Sequence, residues 1–354
     1  MKNLVNNNIL KMQPYNPPIE GRAGLGYLLL DFNERTEPYD KYINQYLKKC
    51  LNNNTLNIYP AYKNIYEKIA KYAGVKKDNI LITNGSGQAI EIIFKTFTQK
   101  NDQVIIPSPS FARFYQNANI SNNIIITPQY NKSDLSFPLN KVLKNITSKT
   151  KMIIICNPNN PTGTSLSLIE IEQILQKTKN SLVYIDEAYF EFSNITAVPL
   201  LKKYPNLVIS RTFSKAFGLA SLRIGYIIAN EKLIKEMQKV RGPYDINTLG
   251  IKAVEYVLKN ISGLKNYVDE VMTKSKPILE KYLTQKNIKY YNSNANFVLI
   301  KPTNPKKVFN HLKTNNILTR PRIDSVIEGT IRITIGTIKQ TKKLIAILDK
   351  LNIC

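Results

Sequence analysis

The chain has 354 residues, 43% of them hydrophobic and 21% charged, a composition that fits a folded protein of about two domains and excludes a disordered one. Its net charge of +25 comes mainly from lysines spread over the whole length, which argues against a local nucleic-acid-binding patch and favours small anionic substrates. No apolar run approaches the roughly 18 residues of a membrane-spanning helix and no signal peptide is visible, so we expect a cytoplasmic protein without membrane contact.

Residues 1–35 are rich in proline near Pro14, Pro17 and Pro18, and we expect them to form an extended N-terminal arm. From about residue 80 onward, short apolar runs alternate with segments of helical periodicity. This alternation predicts an α/β fold, with a mostly parallel seven-stranded sheet between helices, in a large domain of residues 36–245. The predicted strands are residues 80–83, 103–106, 124–127, 152–156, 182–185, 207–210 and 224–229.

The pattern changes after Pro243 and predicts a smaller α+β domain over residues 246–354. Two long helical stretches, 248–258 and 264–282, come first, and two predicted strands, 296–300 and 330–335, follow them. A last helix is expected near residues 339–351. The three cysteines, Cys50, Cys156 and Cys354, are far apart and lack metal-ligand spacing, so we expect neither a disulfide nor a metal site.

Polar side chains follow four strands of the predicted large sheet, at the point where each strand ends. Because parallel sheets bind ligands beyond the carboxyl ends of their strands, we expect these segments to converge on one crevice. The four segments are Asn84-Gly85-Ser86-Gly87, Asn157 to Gly163, Asp186-Glu187-Ala188-Tyr189 and Arg211 to Lys215.

Three of these segments suggest parts of a site for a phosphorylated cofactor. Gly85-Ser86-Gly87 lies between a strand and a helix, where backbone N–H groups can cradle a phosphate, although a Gly-Ser-Gly segment alone is more often a simple turn. Asp186 ends an apolar strand, so its carboxylate needs a cationic partner unless it merely caps a helix. Lys215 can become a nucleophile if the crevice desolvates it, and Ser214 and Arg223 can reach the same phosphate.

With these motifs in place, the sequence resembles the fold-type-I pyridoxal-phosphate (PLP) aminotransferases, and most closely the histidinol-phosphate aminotransferase family. The resemblance covers nearly the whole chain. The segments that carry it are Pro14-Tyr15, Asn33-Glu34, Tyr59-Pro60, Asn159 to Gly163, Asp186 to Tyr189, Ser214 to Phe217, Leu222 to Gly225 and Ile331 to Thr334.

The resemblance implies a role for each matching residue. Lys215 would hold PLP as a Schiff base and shuttle the substrate proton, and Asp186 would keep the pyridine nitrogen protonated. Asn160 and Tyr189 would bind the phenolic oxygen of the ring, and Phe111 would stack on its face. The phosphate would be bound by Ser86, Gly87, Ser214 and Arg223, and by Tyr59 from a neighbouring subunit of a homodimer. The expected substrate-binding residues are Arg332, Arg320, Asn33 and Tyr15, the last of which is equally compatible with anchoring the arm.

The sequence departs from the family pattern at three places. Phe111 stands where the family commonly has tyrosine, and Gly87-Gln88 replaces an acidic pair. Arg35-Thr36 replaces the Asn-Pro that usually follows Asn-Glu in the arm. Since the arm is expected to line the substrate pocket, the last change suggests a divergent branch with its own substrate.

The function expected from this resemblance is transfer of an amino group between glutamate and a small phosphorylated oxo-compound. Decarboxylation of phosphoserine or phosphothreonine needs the same Lys215 and Asp186, so it stays open as an alternative, as does a general aromatic amino-acid aminotransferase. A non-catalytic PLP-binding regulator belongs to a different class, and it would need a DNA-binding domain that these 354 residues do not offer.

Overall fold

The computed structural model describes residues 4–14, 17–22, 24, 26–51 and 55–351. The helices in these ranges are α1 Asn7–Leu10, α2 Ile43–Cys50, α3 Lys63–Ala73, α4 Gly85–Phe97, α5 Ala112–Ile120, α6 Leu139–Asn145, α7 Leu168–Lys177, α8 Phe190–Ser193, α9 Glu231–Gln238, α10 Thr248–Lys259, α11 Ser262–Asp269, α12 Lys276–Gln285, α13 Pro305–Thr314 and α14 Ile338–Asp349. Within the described part of the chain, none of them is long and apolar enough to cross a membrane.

The strands of the described residues form three sheets. They are β1 Leu28–Leu29, β2 Ile80–Thr83, β3 Gln103–Ile105, β4 Ile124–Ile126, β5 Thr150–Cys156, β6 Leu182–Asp186, β7 Leu207–Thr212, β8 Gly225–Ala229, β9 Lys289–Tyr291, β10 Phe297–Lys301, β11 Ile317–Leu318, β12 Arg320–Pro321 and β13 Ile331–Thr334. The large sheet has seven strands in the order β2-β8-β7-β6-β5-β3-β4, and only β8 runs antiparallel to its neighbours. The predicted α/β fold with a mostly parallel seven-stranded sheet is therefore confirmed.

Alternate side chains of the central strands pack into two separate apolar cores, one on each face of the large sheet. On β5, Ile153 and Ile155 point to one core while Met152 and Ile154 point to the other. Helices α3, α7 and α10 cover the first face, and α4, α5 and α9 cover the second. Since both faces are covered, the central strands have no polar face, which is why the sequence reads as short continuous apolar runs.

A smaller antiparallel sheet of four strands, in the order β12-β13-β10-β9, lies in the last third of the chain. Helix α10, in contrast, packs against α2 and α3 of the first half. The proposed division at residues 245 and 246 stays a prediction.

Two expectations for the secondary structure were wrong in detail. The arm is not wholly extended, because it contains the helix α1. Its extended part includes β1, which pairs in parallel with β11. Residues 264–282 do not form one regular helix, since a π-helical segment, Glu270–Ser275, joins α11 to α12. A strand of two residues and a short π-helical segment within a longer helix are too short to produce a periodic pattern in the sequence.

The first residue of β8, Gly225, allows the loop at the start of α4 to pack closely on the sheet. A Cβ atom at Gly225 would lie 2.8 Å from the backbone carbon of Gly85 and 2.9 Å from the nitrogen of Ser86. Backbone atoms cannot swing aside as the end of a flexible side chain can, so the loop and the strand require glycine here.

We therefore expect Gly225→Ala to lower the free energy of unfolding by about 1–3 kcal/mol through overpacking. Gly87→Ala is the matched control, because a Cβ atom there has no neighbour within 4 Å. Denaturant titration of both variants measures the difference. Equal stabilities would show that the loop moves away from β8 without cost.

Candidate active site

Asp186, the last residue of β6, lies buried at the carboxyl edge of the large sheet. Its Oδ1 atom accepts hydrogen bonds from Ser210 Oγ and from the backbone nitrogen of Ala188, both at 3.1 Å. Burial raises the pKa of Asp186 to about 7 in spite of these two donors. A cation that faces the carboxyl group would stabilise its ionised form.

Lys215 follows β7 in the neighbouring loop, and its Nζ atom donates to the backbone oxygen of Phe32 at 2.8 Å. Burial lowers the pKa of Lys215 to about 8, and the cationic Arg332 and Arg223 act in the same direction. About one tenth of the amine is therefore neutral at pH 7, far more than for an ordinary lysine. A neutral amine in a crevice can act as a nucleophile or as a base.

The start of α4 meets Arg223 in a cradle that suits an anion. The Arg223 guanidinium lies against Gly85, where a Cβ atom would come within 2.4 Å of Nη2. Its Nη1 atom also lies 3.4 Å from the hydroxyl of Ser214. Ser86 and Gly87 stand in the first turn of α4, whose positive end and free N–H groups add to the cradle. The structure thus brings together four of the five residues predicted to bind the phosphate, and the fifth, Tyr59, was predicted to come from a neighbouring subunit.

A second group surrounds the phenol of Tyr189. Asn33 Nδ2 donates to the Tyr189 oxygen at 3.0 Å, and burial raises the pKa of this phenol. The backbone nitrogen of Asn33 donates to Thr334 Oγ1, also at 3.0 Å. Asn33, predicted to bind substrate, is therefore buried and occupied in orienting Tyr189.

Arg332 reaches the same region from β13. One guanidinium nitrogen donates to Asn160 Oδ1, and the other donates to the backbone oxygen of Asp31 at 2.7 Å. Arg320 lies directly opposite Arg332 across β12 and β13, and its guanidinium carbon is 5.7 Å from the centre of the Phe32 ring. The two predicted substrate arginines therefore share one wall of the site.

Two further predicted site residues, Phe111 and Tyr59, pack against other aromatic rings. Phe111 precedes α5 and packs edge-on against Phe114. Tyr59 is 69% exposed and stacks on Tyr244, with ring centres 4.0 Å apart. Tyr15 lies outside the described residues.

The sequence pointed to Asn33 but not to Asp31 or Phe32, although the three residues contact Tyr189, Arg332 and Lys215 respectively. Two of these contacts use backbone oxygens, which any residue type provides, so they leave no signature in a sequence. Asp31 and Glu34 also bind Arg22. The sequence does show one basic residue, Arg22, followed by the acidic residues Asp31 and Glu34, and this pattern could have indicated their ion pairs.

Arg35, which distinguishes this chain from the family pattern, packs inside the protein. Its guanidinium donates to the backbone oxygens of Ala216 at 3.0 Å and Gly263 at 3.2 Å, and it stacks on the ring of Tyr267 at 4.0 Å. The substitution therefore acts on the loop that carries Lys215 and on α11. It does not supply a charge to the cluster around Arg332.

Comparison with known proteins identifies a sequence family, relatives in sequence and solved structures with the same fold. A sequence model of the family "Aminotransferase class I and II" matches residues 29–348. A histidinol-phosphate aminotransferase of Ruminiclostridium cellulolyticum is 34% identical over 351 residues, which cover 98% of this chain and 97% of that protein.

Among solved structures, the histidinol-phosphate aminotransferase of Sinorhizobium meliloti in complex with pyridoxal-5'-phosphate superposes with a TM-score of 0.88 at 20% identity, over 98% of this chain and 97% of that one. The L-threonine-O-3-phosphate decarboxylase of Porphyromonas gingivalis superposes with a TM-score of 0.78 at 23% identity, over 91% and 98%. At such identities, the two structures establish a shared fold alone.

Proposed function

The chain belongs to the class I and II aminotransferases, and from this premise we propose that its crevice transfers an amino group between glutamate and a small phosphorylated oxo-compound. It is a PLP-dependent transaminase with the PLP-transferase type I fold. Asp186 is the observation that carries the proposal. A buried carboxyl with its pKa raised to about 7, beside an anion cradle, is suited to a ligand with one cationic and one phosphate end.

The residues present fit PLP at both ends. The protonated pyridine nitrogen would give Asp186 the cation that burial makes necessary, and Ser86, Gly87, Ser214 and Arg223 would hold the phosphate. Asn160 and Tyr189 would bind the phenolic oxygen, and Phe111 would stack on the ring. When bound, PLP supplies an electron sink for negative charge that develops at the substrate α-carbon.

Lys215 has two proposed duties. Its Nζ atom would hold the cofactor covalently, and after substrate has bound it would take the proton from the α-carbon. Both duties need a neutral amine, which a pKa of about 8 makes available near neutral pH. The backbone oxygen of Phe32 holds the same nitrogen at 2.8 Å and so orients it.

Arg332 and Arg320 are proposed to bind the anionic groups of the substrates. A guanidinium pairs well with either a carboxylate or a phosphate, so one wall could serve both half-reactions. Relatives about one third identical are histidinol-phosphate aminotransferases, which supports a phosphorylated substrate. Decarboxylation of a phosphorylated amino acid has weaker support, because the likeness to such an enzyme is one of fold. Glutamate and phosphorylated metabolites belong to the cytoplasm, and we propose that the protein acts there.

We expect borohydride reduction of the PLP-loaded protein to attach a pyridoxyl group to Lys215, because its lowered pKa favours reaction there. Peptide mass spectrometry locates the modified residue. Lys215→Ala should lose the modification, whereas Lys203→Ala, at a surface ion pair, should keep it. Modification spread over surface lysines, or unchanged in Lys215→Ala, would contradict the proposed role.

Arg332→Ala should slow both half-reactions, and Arg320→Ala mainly the one with the phosphorylated substrate. Loss of a charge-assisted pair to a buried anion costs roughly 2–5 kcal/mol, or about 30-fold to several-thousand-fold in kcat/KM. Stopped-flow measurement of each half-reaction gives these values.

Arg322→Ala is the matched control, since Arg322 lies in the same segment but pairs with Asp324 at 2.7 Å. Equal rates with phosphorylated substrates and their dephosphorylated analogues would rule out the proposed specificity.

We also propose that two copies of the chain form a homodimer with shared active sites. An exposed apolar surface supports this: Leu56, Ile58, Tyr59 and Tyr244 are between 59% and 82% exposed. Apolar patches of this kind commonly mark protein interfaces. Tyr59 would reach the phosphate bound in the neighbouring subunit.

Mixing Lys215→Ala with Tyr59→Ala should therefore restore activity, since a hybrid dimer has one site with Lys215 from one subunit and Tyr59 from the other. Activity of the mixture is compared with that of each variant alone at the same total concentration. A mixture no more active than the Tyr59→Ala protein it contains would show that Tyr59 does not act across an interface.

A further inference from the structure

Arg22, Asp31, Phe32 and Glu34 form a compact unit of the arm, which we call the arm clamp. Arg22 Nη2 lies 2.7 Å from Asp31 Oδ1 and 2.5 Å from Glu34 Oε2, and Arg22 Nε donates to Asp31 Oδ2 at 2.9 Å. The guanidinium also lies over the Phe32 ring, 4.0 Å from its centre. Two carboxylates and a ring face together fix the guanidinium in one orientation.

The arm clamp is joined directly to Lys215. The backbone oxygen of Phe32, between the two carboxylate residues, accepts the hydrogen bond from Lys215 Nζ. The Glu34 side chain is 30% exposed, whereas those of Arg22 and Asp31 are 10% and 6% exposed, so Glu34 is the most exposed of the three charged members of the clamp. In this partly dry setting, charges interact more strongly than they would at an open surface.

The charged groups around Lys215 have opposing effects on the pKa of its amine. Burial is the largest cause of its lowered pKa, and Arg332, Arg223 and Arg22 add to the lowering. Glu34 opposes them and is the strongest charged influence on this amine. Asp186 and Tyr189 also face the site, but Glu34 is the group that favours the protonated lysine most.

We propose that the arm clamp positions Lys215 and balances its charge. Glu34 serves as the counter-ion of the Lys215 nitrogen, and Arg22 holds Glu34 in place and limits the effect of its charge. The backbone oxygen of Phe32 fixes the position of the Lys215 nitrogen. Glu34 and Arg22 are therefore positioning residues that act through Lys215. The inference rests on the proposed function, because its importance depends on the use of Lys215 as base and as cofactor anchor.

The inference requires that the two charged members have opposite effects. Glu34→Gln removes a negative charge and leaves Arg22 paired only with Asp31, so the proton on the Lys215 nitrogen is lost more easily. Arg22→Met removes a positive charge and releases both carboxylates, so the proton is held more firmly. If the substitutions merely loosened the arm, the affinity of the Lys215 nitrogen for its proton would change in the same direction in both variants.

The experiment follows the absorption spectrum of the PLP-loaded protein as a function of pH, which needs no turnover. We expect the pH of the spectral transition to fall in Glu34→Gln and to rise in Arg22→Met, each by roughly half a unit or more. Asp31→Asn is the matched control within the clamp, since Arg22 stays held by Glu34, and its transition should stay near that of the parent protein.

Shifts of the same sign in Glu34→Gln and Arg22→Met, or no shift in either while PLP stays bound, would overturn the inference. If Glu34→Gln does not fold, Glu34→Asp replaces it. This variant withdraws the carboxylate by one methylene group and should lower the transition by a smaller amount, and an unchanged or raised transition would equally overturn the inference. A parent protein that binds no PLP at all would contradict the proposed function instead.

Discussion

Burial of charge at the carboxyl edge of the large sheet is the constraint on which the rest of the site depends. A carboxylate or an ammonium loses several kcal/mol of hydration when it leaves water, so each buried charge must find compensating partners. Asp186 accepts hydrogen bonds from the Ser210 hydroxyl and from the backbone nitrogen of Ala188. The Ser210 hydroxyl in turn lies 2.8 Å from the Tyr184 hydroxyl. The strands β6 and β7 therefore carry a polar layer inside an otherwise apolar sheet.

An ion pair beneath the site extends the same principle. Arg211 and Glu187, which follow Ser210 and Asp186 in the chain, pair at 2.9 Å and are only 2% and 0% exposed. Glu187 also accepts from the backbone nitrogen of Ala197 and the hydroxyl of Thr196. Since breaking a buried pair leaves an uncompensated charge, this pair locks the ends of β6 and β7 together and holds the register in which Asp186 faces Ser210.

The sequence was informative where structure is local and periodic. The strands of the large sheet could be found because both faces are buried, and the crevice could be found because polar residues such as Asp186 and Lys215 interrupt those apolar strands at their ends. The pairing of β1 with β11 and the packing of Arg35 on Tyr267 could not be found, since each joins residues far apart in the chain. The contacts of Asp31 and Phe32 through backbone oxygens were equally invisible, because they do not depend on residue type.

The bonds between the arm and β13 have a consequence for how the protein folds. Asn33 donates to Thr334, a residue 301 positions later, and Arg332 donates back to the oxygen of Asp31 across the same interval. Asn33 and Thr334 lie 301 positions apart, so this side of the crevice is complete only after the whole stretch between them has folded. Closing a loop of this length costs more chain entropy than closing the shorter loops between the paired strands of the large sheet. We therefore expect the large sheet to form before the bonds between the arm and β13 do.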